Sequence, residues 1–158
     1  MGTYAQNTEV SQEKSRAEIE TTLRRYGADA FSYGWEDGRA MIAFRAQNRH
    51  IRFVISMPDR NDPKFWEYRR GTVPYRRSDD QAYKLWEQAS RQRWRALALV
   101  VKAKLEAVDA GISEFEEEFL AHIVLPDGST VGQQIRPAIE QAYVSGKMPK
   151  LLLGTGEK

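Results

Sequence analysis

Residues 65–95 interleave guanidinium groups with aromatic rings. Arginine makes paired hydrogen bonds to phosphate oxygens, and aromatic faces stack on nucleobases with little sequence preference, at roughly 1–3 kcal/mol per base. Trp66, Arg69, Arg70, Tyr75, Arg76 and Arg77, followed by Lys84, Arg91 and Arg95, therefore make the first candidate surface for an anionic ligand. Trp86 and Trp94 lie in the same stretch, but their spacing assigns them to a core. Arg45 and Arg52 make a second candidate, for the reason of strand pairing given below. Other chemistries find little footing. There is no cysteine, no Gly-x-Ser-x-Gly, no P-loop and no His-Glu-x-x-His, so nucleophilic catalysis and the common metal and cofactor signatures are unsupported. Glu118 and His122 stand four apart on one predicted helix, and two ligands do not make a metal site. Residues 126–132 only loosely resemble a phosphate-cradling loop, and a turn followed by a helix cap explains them.

The elements that must position these side chains are legible from periodicity. A long helix is predicted over 78–111, opened by a Ser78/Gln81 capping box with Asp79 and Asp80 complementing its dipole, and closed by Gly111. Tyr83, Trp86, Ser90, Trp94, Leu97, Val101, Leu105 and Val108 recur at three- and four-residue intervals on one face. Lys84, Arg91, Arg95 and Lys102 form a neighbouring ridge. The run 96–101 is apolar all round, which predicts enclosure.

A shorter helix is expected over 11–26, with Arg16, Ile19, Leu23 and Tyr26 on one side and Gly27 as its stop. Three strands follow, over 31–36, 39–46 and 50–57. The Asp37-Gly38 turn pairs Trp35 with Ala40, Tyr33 with Ile42 and Phe31 with Phe44. A second turn at Asn48-Arg49 would pair Phe44 with Phe53 and Ile42 with Ile55, leaving every apolar residue on one face. It would also set Arg45 opposite Arg52, a like-charge pair that an anion could relieve. Residues 59–77 read as a 19-residue loop, and loops of that length are often functional.

Beyond Gly111, a Ser113/Glu116 capping box predicts a helix to about Ile123 with Phe115 and Phe119 inward. A last helix is expected over 137–145, because Pro137 argues against an unbroken run from Val131. The reading is thus a single α+β domain over 1–158: an N-terminal helix, a three-stranded antiparallel meander, a long helix and two shorter C-terminal helices. Segments 1–10 and 147–158 read as tails, the latter with an apolar patch at Leu151, Leu152 and Leu153.

The net charge of +2 hides a segregation. Residues 39–104 carry an excess of +10 and the remainder −8, and 105–127 hold seven acidic residues with no Lys or Arg. Such segregation predicts either an anionic partner or pairing of the two segments within the fold or an oligomer. No apolar run approaches the roughly 20 residues that span a bilayer, and no apolar leader opens the chain, so an intracellular protein without a membrane partner is expected.

Four segments carry a resemblance: SRAEIE at 15–20, RYGA at 25–28, WEQA and RQRWRALAL within 86–99, and FEEEFLAHIVLPDG at 115–128. They resemble a family of small uncharacterised accessory proteins of tailed bacteriophages, along nearly the whole chain. The resemblance implies a phage protein working in a bacterial host cytoplasm, and it carries no activity or site residues with it. The functional expectation is a non-enzymatic protein that binds a nucleotide-type anion and sequesters a host defence signal. The alternatives are sequence-independent binding of single-stranded nucleic acid, and inhibition of a host protein through the acidic helix and apolar tail.

Overall fold

The computed structural model describes residues 10–149. The two expected tails and the leucine patch lie almost wholly outside them. Helix α1 (Gln12–Arg25) begins where the Ser11 hydroxyl accepts from the Lys14 backbone N–H. It ends before Gly27, whose φ of +91° suits a residue without Cβ. Strands β1 (Ala30–Glu36), β2 (Arg39–Ala46) and β3 (Arg49–Ser56) form the expected meander.

The first hairpin has the predicted register, with Trp35 opposite Ala40, Tyr33 opposite Ile42 and Phe31 opposite Phe44. The second does not. Its turn is Gln47-Asn48, so Phe44 faces Ile51, Ile42 faces Phe53 and Ala40 faces Ile55. Both turn residues have positive φ, and the predicted turn would have demanded that geometry of Arg49 instead. Asn tolerates it far better than Arg. The pairing is displaced by two residues, which changes partners but keeps each side chain on its face. One consequence is decisive for the site: Arg45 faces His50 and Arg52 faces Ala43. The like-charge pair does not form.

Helix α3 (Asp79–Asp109) crosses the apolar sheet face. Ala40, Ile42, Phe44, Ile51 and Phe53 are buried there with Trp94, Leu97, Ala98, Val101 and Leu105, while Ile19 and Leu23 come from α1, which packs on α3. Burying each large apolar side chain is worth about 1.5–3 kcal/mol, so this layer dominates the stability. The capping box is present: the Ser78 hydroxyl accepts from Gln81 N–H and the Gln81 side chain accepts from Ser78 N–H. The expected enclosure of 96–101 is corrected. Val100 is 44% exposed, because sheet and α1 cover only one side of α3. Trp35 is also exposed despite its inward register; it sits at the hairpin tip.

After Gly111 (φ +72°) the chain makes a short α4 (Phe115–Glu118) and a single 3-10 turn at Leu120–His122. Phe115 and Phe119 are buried as expected. The expected Ser113 cap is not made. Its hydroxyl instead donates to the Glu118 carboxylate (2.8 Å), which also accepts from the Lys104 ammonium (3.0 Å). Ile123 then bridges to Ile51, and the Val124 N–H donates to the His50 carbonyl, so part of the β3 edge is covered.

Helix α5 (Val131–Ser145) runs straight through Pro137, contrary to expectation. Its Thr130/Gln133 capping box fixes the first turn. The only carbonyl that loses its partner, that of Gln133, belongs to an exposed residue and can take water instead.

The His122 ring stacks on Phe53, with centroids 4.0 Å apart. Burial, then the Lys104 ammonium, lower its pKa below the ordinary 6.5, against a raising hydrogen bond to the Arg52 backbone. The unfolded chain therefore binds a proton that the fold resists. Stability should be complete above about pH 7 and fall as pH drops below 6.5. Denaturant titrations should show this slope above the carboxylate range, and His122→Phe should flatten it.

Candidate functional site

Residues 59–77 are not an open loop. Asp62 caps a one-turn helix α2 (Pro63–Trp66) by accepting from Lys64 N–H. Strands β4 (Glu67–Arg70) and β5 (Val73–Arg76) then form a hairpin around Gly71-Thr72. Only Gly71 of the two has positive φ, the II′ arrangement. Pro74 lies within β5, although proline cannot donate to a strand ladder. The Arg77 N–H donates to the Trp66 carbonyl (2.7 Å), which makes 66/77 a hydrogen-bonded pair. Alternation then puts Pro74 at a non-hydrogen-bonded position, where no N–H is needed.

Pairing sorts the side chains into two faces. Tyr68 and Tyr75 stack across the strands, with centroids 5.5 Å apart. The Arg70 guanidinium lies 5.7 Å from the Tyr75 ring on the same face, and Arg77 lies 4.9 Å from the Tyr68 ring. Arg69 and Pro74 occupy the other face. Arg76 sits over the Trp66 ring (5.0 Å), and the Trp66 indole N–H donates to the Arg60 carbonyl. The hairpin is attached through α2, which packs on α3, where Phe65 and Ala82 are buried apart from the main core.

Arg77 holds this attachment. One of its terminal nitrogens faces the carbonyls of Glu67 (2.9 Å), Lys64 (3.2 Å) and Phe65 (3.4 Å). The guanidinium thus satisfies the end of α2 and aims the hairpin at the first turns of α3. Between them lies a cleft of about 390 Å³ lined by Tyr68, Arg70, Arg77, Gln81, Lys84 and Leu85. Three cations line it and no carboxylate does. Arg69, Arg70, Arg76, Arg77 and Lys84 have no ion-pair partner among the described residues.

The remaining expected site residues are employed elsewhere. Arg45 pairs with Asp29 (2.7 Å), and that hydrogen bond holds the Asp29 carboxyl below its ordinary range. Arg52 donates to the Gly128 carbonyl (2.7 Å) and so pins the 126–128 turn to the sheet. Arg91 pairs with Glu87 and bonds to Gln88, and Arg95 reaches across to Glu18 on α1; both are half-buried and structural. Of the helical ridge only Lys84 reaches the cleft. Tyr68, Gln81 and Leu85 were absent from the expected set. The signal that would have found Tyr68 is the alternation Tyr68/Arg70 against Val73/Tyr75, visible only once Gly71-Thr72 is read as a turn.

The acidic segment is partly answered within the fold: Glu116 pairs with Arg49, Glu118 with Lys104 and Glu106 with Lys102. No family model, curated protein or solved structure matches this chain. The bacteriophage resemblance rests on the quoted segments alone.

Truncating Arg77 leaves three carbonyls short of a charged donor, at about 1.5–3 kcal/mol for such a bond. Arg77→Ala should speed amide hydrogen exchange across β4 and β5 about tenfold or more. Arg45→Ala should leave those amides unchanged.

Proposed function

We propose that the cleft between the β4–β5 hairpin and the start of α3 binds a phosphate-bearing ligand of nucleotide type, and holds it without turnover. The observation that carries this reading is the convergence of Arg70, Arg77 and Lys84, all without carboxylate partners, beside the Tyr68 ring. Guanidinium and ammonium groups supply phosphate donors, and the ring supplies a stacking wall. The volume falls within the roughly 300–1,000 Å³ of small-ligand sites. Arg77, fixed by backbone carbonyls, is preorganised, whereas Arg70 and Lys84 are free to close on a ligand. In the phage setting that the resemblance implies, such a protein would withdraw a signalling nucleotide from its host.

A second reading has one observation in its favour. Lys64 and Arg69 line a second groove that Tyr68 and Tyr75 also border, so a single strand could pass from one face of the hairpin to the other. That groove also contains Glu67, which disfavours a phosphate path.

Calorimetric titration with linear and cyclic mono- and dinucleotides separates the two. Binding of a short ligand, weakened about tenfold or more by Arg70→Ala or Lys84→Ala and untouched by Arg45→Ala, is the expected result. Uniformly null titrations would sink the nucleotide reading. Affinity that rises with oligonucleotide length and falls steeply with salt would support the strand reading instead.

A further inference from the structure

Helix α5 is sparsely supported by the rest of the fold. It is 15 residues long, and none of them is buried. Only its start is anchored: Thr130 is buried, Val131 packs against the core, and Gly132 lies so close to the 3-10 turn that a Cβ would come within 2.9 Å of the Ala121 carbonyl. The rest projects past Pro137 with Ile139 42% and Tyr143 88% exposed. A helix of this length is marginal alone, and an interior proline costs about 3 kcal/mol more. Ile135, Ile139 and Tyr143 stand four apart and form one apolar ridge, flanked by the small Ala138 and Ala142. That ridge has the form of a helix-packing surface.

We infer that α5 pairs antiparallel with α5 of a second copy of this chain through the Ile139 and Tyr143 side, across a twofold axis at the level of residue 138. The charges on the helix identify the partner. Arg136 and Glu140 lie together on the flank of the apolar ridge, and neither has an ion-pair partner among the described residues. Reversing the helix about Ala138 sets Arg136 of one copy beside Glu140 of the other, twice over, which is the self-complementarity a twofold interface requires. Direction follows from the anchoring. Each body sits at the N-terminal end of its own α5, so antiparallel pairing holds the two bodies apart, whereas parallel pairing would bring them to the same end. One pair of 15-residue helices lies at the low end of stable interfaces, so the dimer should dissociate on dilution. This inference is independent of the anion cleft.

Sedimentation velocity on the full chain, from low to high micromolar concentration, tests it. The expected result is a concentration-dependent monomer–dimer equilibrium that Ile139→Asp abolishes. Arg136→Glu and Glu140→Arg should each weaken self-association about tenfold or more, since like charges then face across the axis. An equimolar mixture of those two variants should recover the dimer, because every facing pair is again opposite. Far-UV circular dichroism confirms that each variant stays folded. A chain that remains monomeric at all concentrations overturns the inference, whether residues 150–158 or a different protein cover the ridge. A mixture no stronger than its components overturns the antiparallel pairing.

Discussion

The fold depends on one constraint: the meander has a single apolar face, and α3 must cover it. Ala40, Ile42, Phe44, Ile51 and Phe53 project to that side, and three strands without a covering layer are marginal in water. Trp94 is the pivot. It is fully buried, meets Tyr33 edge-on at 5.3 Å, and carries the Arg16 guanidinium of α1 over its ring. Sheet, α1 and α3 are thereby tied at one point. The opposite side of α3 stays open, which is why Val100 reaches solvent although its neighbours in sequence are apolar.

Because α3 is 31 residues long, it extends beyond the sheet that it covers. Its first turns are free to carry a second, smaller assembly, and the α2–hairpin unit fills that role. Phe65 anchors the unit, the Trp86 indole N–H donates to the Pro58 carbonyl at its root, and Arg77 binds three carbonyls at the point where hairpin becomes helix. The cationic cleft and the stabilising core are thus separated along a single helix. Its later part is scaffold, while its beginning forms one wall of a cationic cleft.

Much of this was legible in the residues. The inward faces of the strands, the Ser78 cap and the glycine stops follow from local geometry, and each is present, whereas the expected Ser113 cap is not. The β2–β3 partners were not legible, because turns at 47–48 and 48–49 preserve the same faces and differ only in which residue takes positive φ. The hairpin was not legible within the expected 59–77 loop, because the fit of Pro74 in a strand depends on whether its position needs a ladder hydrogen bond. That in turn depends on a pairing that begins at Trp66 and Arg77. Pro137 misled for a similar reason: the cost of a helical proline is bearable where the carbonyl it frees faces water.

The sequence by itself determined the class of the fold, the apolar face, the helix ends and the concentration of cations in the middle of the chain. Those properties arise from periods of two and 3.6 and from bonds between residues a few positions apart. Which cations remain available was decided by the tertiary structure alone. Arg95 is neutralised by Glu18, 77 residues away, and Arg52 is held by the Gly128 carbonyl, 76 away. Arg70, Arg77 and Lys84 instead converge where no carboxylate has been brought. An ion pair depends on distance in space, and only the folded chain sets that distance.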